Sequence, residues 1–119
     1  MKRIIIALIF LFSAGSLFAD KPVFFFFHSL TCPHCVQAEP FVEELIKKYP
    51  QIEFRKLEVG SNQENKIIYI QKIEELKIDR PGVPVFAIGK DYIIGFNDSY
   101  KKKIEEMIEK NLKKTNTSQ

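Results

Sequence analysis

With 119 residues the chain has room for one domain at most. Its formal charge of +3 owes two units to Lys2 and Arg3, and the remainder carries +1, 16 basic against 15 acidic side chains. That balance excludes nucleic acid as an expected partner, and the lysines of the C-terminal segment alternate with glutamates as on a solvated helix face.

Residues 1–19 read as a signal peptide. Lys2 and Arg3 form a positive start, Ile4 to Phe12 is an unbroken apolar run, and small residues from Ser13 to Ser16 lead to a cut after Ala19 or, alternatively, after Ser16. An uncleaved membrane anchor is the other reading, although Ile4 to Ala19 falls short of the roughly 20 residues usual for a span. The expected domain covers 20–113, about 100 residues and enough for one small core, and 114–119 read as a flexible tail. Export places the chain in the periplasm or another oxidising compartment, where a cysteine pair can cycle as a disulfide.

Val23 to Phe27 is apolar without alternation, which predicts a central strand covered on both faces. Thr31 is a candidate helix cap and Pro33 suits the first turn. The helix is expected to reach about Tyr49, with Phe41, Leu45 and Ile46 on its apolar face and a bend at Pro40. Ile52 to Val59 reads as a second strand. Ser61 and Glu64 have capping-box spacing, and Ile67, Ile70, Ile73 and Leu76 mark the inner face of a second helix. "VPVFAIG" and "YIIGF" read as two strands joined by a three-residue turn at Gly89-Lys90-Asp91. Asn97, Asp98 or Ser99 starts a last helix with Tyr100, Ile104, Met107, Ile108 and Leu112 facing the core. The fold class is therefore α/β, in the order β-α-β-α-β-β-α, with a four-stranded mixed sheet flanked by helices. The first half is a right-handed βαβ unit.

The two cysteines, Cys32 and Cys35, lie three apart at the start of the first helix. Unpaired amides and the positive end of the helix dipole face that turn. A thiolate placed there can have its pKa lowered from about 8.5 into the range ~3.5–7.5. Cys32 is expected to be the exposed nucleophile. Cys35, one turn further in, would resolve the mixed disulfide. The stiff buried strand before them fixes where the helix begins, and low polarity around it strengthens the dipole's effect.

"CPHC" after an apolar strand, Pro40 five residues past Cys35, and Gly82-Val83-Pro84 before the terminal hairpin resemble the thioredoxin superfamily over roughly Val23 to Leu112. The Pro-His dipeptide is similar to that of DsbA-type periplasmic thiol oxidases. The resemblance implies a thioredoxin-like fold and a thiol–disulfide oxidoreductase. Cys32 would be the attacking thiol, Cys35 the resolving thiol, and Pro33 and His34 would tune the potential. Pro84 would be a cis-proline facing the disulfide, and Val83 would offer backbone hydrogen bonds to an extended substrate. The implied partners are cysteine-containing exported proteins and a membrane redox protein. No cofactor and no metal are implied, and the chain is expected to be monomeric.

Oxidants and reductants of this superfamily differ by about 150 mV, or about 7 kcal/mol. Stabilising a thiolate by four to five pKa units covers about that much. A protonated imidazole at 34 favours the thiolate, so Pro-His points to the oxidising end. Two departures stand against a full DsbA-type reading. The stretch from Gly60 to Pro81 is too short for a helical insertion, and Phe26 occupies the place of a buried carboxylate found in many relatives. A water, His28 or Glu39 would then relay the proton of Cys35. Three rivals remain: an exported disulfide reductase, including one serving cytochrome assembly; a zinc or copper(I) transfer site using His28, Cys32, His34 and Cys35; and a structural disulfide, which would restrain only a very short loop.

Overall fold

The computed structural model describes residues 21–117. The leader expected over 1–19 lies outside the described residues. Among those described, no helix is long and apolar enough to cross a membrane.

Strand β1 (Val23–His28) is followed by helix α1 (Pro33–Lys48), β2 (Glu53–Glu58), α2 (Gln63–Glu75), β3 (Val85–Ile88), β4 (Asp91–Ile94) and α3 (Tyr100–Thr117). The sheet order is β2-β1-β3-β4. β1 runs parallel to β2 and antiparallel to β3, and β3 is antiparallel to β4. The expected element order and mixed four-stranded sheet are both found.

The four phenylalanines of β1 divide between two cores because successive strand side chains point to opposite faces. Phe24 and Phe26 join Phe41, Val42 and Leu45 of α1 and Ile104, Met107 and Ile108 of α3 in the larger cluster. Phe27, with Phe25 packed beside it, joins Val85 and Ala87 under α2. This two-sided burial is why the strand reads as continuous apolar sequence. Phe26 stacks on its register partner Phe86 with centroids 5.2 Å apart, and Phe96 extends the aromatic row to Phe41.

Side-chain hydrogen bonds close the helices onto the sheet and each other. Tyr49, just past α1, donates to Glu109 Oε2 at 2.8 Å and lies 3.2 Å from Glu105 Oε1, and Lys48 pairs with Glu105. Buried Asn111 donates to Asp91 Oδ2 (2.9 Å) and Met107 O (2.8 Å), tying α3 to the hairpin.

Several local expectations are corrected. α2 does not pack through Ile67 and Ile70, which are 51% and 53% exposed. Ile68 and Tyr69 meet the sheet instead, together with Leu76 as expected. The cap of α2 is Asn62, whose side chain accepts from Asn65 N, and Ser61 bonds Glu58. The β3–β4 turn has two residues, Gly89 and Lys90, with Asp91 already paired to Ile88. Gly89 has φ +60 and a Cβ there would strike Asn111 Oδ1, so both turn geometry and packing require glycine. α3 runs through Thr117, into the 114–119 stretch expected as a tail.

Candidate active site

β1 ends at the level where α1 begins, and a short loop, Ser29 to Thr31, joins them. The cap of α1 is Cys32 rather than Thr31. Its backbone is extended (φ −99, ψ 111), and its Sγ accepts from Cys35 N at 3.1 Å. Thr31 instead shares a hydrogen bond with Ser29 Oγ. Pro33 occupies the first turn, where no amide hydrogen is needed. No acidic residue lies in that turn, so nothing there opposes negative charge on Cys32.

Cys32 and Cys35 form a disulfide with Cα atoms 5.2 Å apart. Cys35 is only 1% exposed, whereas Cys32 is half-buried and His34 is exposed. An incoming sulfur can therefore reach Cys32 but not Cys35.

The loop before β3 faces this disulfide. Val83 O lies 3.8 Å from Cys32 Sγ, and the Val83–Pro84 peptide bond is cis. The neighbouring carbonyls are used within the fold: Tyr69 Oη donates to Gly82 O, and Gly95 N donates to Pro84 O, each at 2.8 Å. Pro84 is fully buried. The backbone at Val83 is thereby held toward the sulfur from both sides. Tyr69 was not singled out from the sequence, because its partner is a main-chain oxygen that no motif marks.

Glu58 is a second such residue. Its carboxylate accepts from Gly60 N (2.6 Å), Ser61 N (3.0 Å) and Ser61 Oγ (2.9 Å). It thus closes the β2–α2 loop on itself. A Cβ at Gly60 would come within 2.5 Å of Glu58 Oε2 and 3.0 Å of Ser29 Oγ, so only glycine admits this approach. The Ser61 backbone bond, then the Ser61 hydroxyl and the other amides, hold the Glu58 carboxyl below its ordinary range. A lowered folded-state pKa contributes stability above the unfolded value of about 4.3 and loses it as pH falls through the folded value. The urea midpoint of the wild type should therefore exceed that of Glu58→Gln by a constant margin above about pH 5, shrinking toward pH 3. A margin independent of pH would remove the charged clamp.

His28 and Glu39 come together, with His28 Nδ1 4.0 Å from Glu39 Oε1 and Lys56 Nζ 3.1 Å from Glu39 Oε2. Lys56 also binds Glu43 at 2.5 Å. His28 stacks on Phe26 at 4.9 Å. Burial lowers the His28 pKa, against the opposing pull of Glu39 and Glu58. Neither His28 nor Glu39 is hydrogen-bonded to a cysteine sulfur among the described residues. No group of three or more His, Cys, Asp or Glu side chains converges there as a metal site.

Comparison with solved structures decides the fold. A thioredoxin from Fasciola hepatica superposes with a TM-score of 0.59 at 24% identity, covering 85% of this chain and 90% of that one. The long form of thioredoxin f from spinach chloroplast gives 0.57 at 27% identity, covering 78% and 72%. Oxidised mitochondrial thioredoxin 3 from Saccharomyces cerevisiae gives 0.53 at 27%, covering 73% and 79%. The chain has a thioredoxin-like fold. No protein-family model matches the sequence, and no curated protein does. In this thioredoxin-like chain the Cys32–Cys35 disulfide sits at the start of the first helix after β1, and the Val83–Pro84 loop faces it.

Proposed function

We propose that this thioredoxin-like chain is a thiol–disulfide oxidoreductase of exported proteins, and that it acts as an oxidant. The placement of Cys32 Sγ carries the reading. It caps a helix whose first turn holds no acid, accepts an amide hydrogen bond, and is reachable while Cys35 is sealed. A substrate thiolate attacks Cys32 Sγ, the Cys32–Cys35 bond breaks, and Cys35 leaves as a thiolate that takes up a proton. A second substrate thiolate then attacks the mixed disulfide, and Cys32 leaves as a thiolate stabilised by the Cys35 amide and the helix terminus. The substrate loses two electrons and the protein gains them. His28, whose pKa burial lowers, and Glu39, 4.0 Å from it, are the groups offered for proton transfer on the side of Phe26. A membrane redox partner would restore the disulfide.

A reductase is the second reading. It is favoured by the single helix α2 between β2 and β3, with no further domain inserted there. Thiolate absorbance of Cys32 together with equilibration against glutathione separates the two. An oxidant should lie nearer about −120 mV than about −270 mV, with a strongly acidic Cys32. A Cys32 pKa near about 7 with a potential near thioredoxin's overturns the oxidant assignment. His34→Tyr should raise the Cys32 pKa by about one unit and lower the potential by roughly 30 mV. No change in either quantity would remove His34 from the tuning of the site.

A further inference from the structure

We propose that Tyr69 is a positioning residue for exchange with peptide partners: its hydroxyl fixes the Gly82 carbonyl and so holds the main chain at Val83 in register for a partner's backbone. The proposal rests on the oxidoreductase reading and deepens it. Tyr69 stands on α2, and its hydroxyl donates to Gly82 O at 2.8 Å. Its ring meets Phe27 edge-on with centroids 5.3 Å apart, which fixes the hydroxyl from the sheet side. Asn65, four residues earlier and so on the same helix face, donates through Nδ2 to Glu58 O at 3.0 Å. One face of α2 thus carries two donors, one bound to the end of β2 and the other to the loop before β3. Burial raises the Tyr69 pKa, so the hydroxyl keeps its proton and remains a donor at neutral pH.

Residue 83 is left between two fixed carbonyls. Pro84 O takes Gly95 N, a bond that continues the β3–β4 ladder, while Gly82 O has only the Tyr69 hydroxyl among the described residues. Val83 N and Val83 O bond no amide or hydroxyl among the described residues, and the Cys32 sulfur lies 3.8 Å from the oxygen. The space over Gly82 is open, since a Cβ there would meet nothing within 4 Å. A partner whose sulfur is bonded to Cys32 Sγ brings its own amides close, because successive Cα atoms are about 3.8 Å apart. A Val83 backbone already fixed meets them without a further cost of ordering. The Tyr69 hydroxyl bonds neither sulfur, so its loss acts on the partner's fit and leaves the reactivity of Cys32 unchanged.

The test compares the full oxidised chain with Tyr69→Phe, which keeps the ring on Phe27 and removes only the hydroxyl. Three reductants are used: a dicysteine peptide, the same peptide N-methylated on both sides of its first cysteine, and dithiothreitol, which has no amides. Each is oxidised to its disulfide as Cys32 and Cys35 become thiols, so electrons balance without another reactant. In the wild type, N-methylation should slow the second-order rate about fivefold, as for one hydrogen bond of ordinary strength. Tyr69→Phe should slow the unmethylated peptide by about the same factor, reduce the N-methylation penalty to about one, and leave dithiothreitol unchanged. An equal slowing of dithiothreitol overturns the positioning role, because the hydroxyl would then support the site as a whole. An unchanged peptide rate, no penalty in the wild type, or a penalty that survives Tyr69→Phe overturns it as well. Absent exchange between the wild type and dithiothreitol overturns it together with the oxidoreductase reading.

Discussion

Replacing Cys32 by serine should reduce disulfide exchange with a dicysteine peptide to the uncatalysed background, while Cys35→Ser should accumulate a stable mixed disulfide through Cys32 with a single-cysteine peptide. The two cysteines are chemically alike but placed unequally. Cys32 is partly open to solvent and receives the Cys35 amide, whereas Cys35 is 1% exposed. A thiolate at 32 is stabilised by unpaired amides at the helix start, and a thiolate at 35 has no such access to an incoming sulfur. Removing Cys32 thus removes the point of attack. Removing Cys35 leaves attack intact and deletes the protein sulfur that would release the adduct when the partner offers no second thiol. Mass spectrometry of each variant, reduced beforehand and then incubated with the disulfide-linked dimer of a single-cysteine peptide, checks this. An adduct on Cys32→Ser and none on Cys35→Ser would reverse the roles.

Legibility in the sequence followed the number of physical constraints on each element. β1 was readable because a run without polar residues has one stable setting, between two covered faces. α3 was readable because Tyr100, Ile104, Met107, Ile108 and Leu112 fall on one stripe, and all of them lie in or against the core. The phase of α2 was not. Its isoleucines at 67, 68, 70 and 73 surround much of the helix, so hydrophobicity alone could not choose a face. Contact with the sheet and the Tyr69–Gly82 bond chose it. Caps failed for a similar reason, since Thr31 beside Cys32 and Ser61 beside Asn62 each offer neighbouring acceptors. The cysteine pair and the Val83–Pro84 loop could be located from their motifs. Glu58 and Tyr69 could not, because both act on backbone groups whose positions exist only after folding.

Phe26→Ala should cost about 3–5 kcal/mol of folding stability. Phe26 is fully buried between α1 and α3, stacked on Phe86 on one side and on His28 on the other. Truncation removes both ring contacts and leaves a cavity that two fixed strands cannot close. With total stabilities of about 5–15 kcal/mol for domains of this kind, the loss is a large share of the whole. At about 1–3 kcal/mol per molar urea it should lower the unfolding midpoint by roughly 1–5 M. Phe26→Leu, which keeps most of the volume, should recover more than half of the loss. Exchange by the folded fraction should persist, because Cys32 is held by the helix start rather than by the ring itself. A loss below about 1 kcal/mol would mean that the aromatic row is not what fixes β1 beneath the helices.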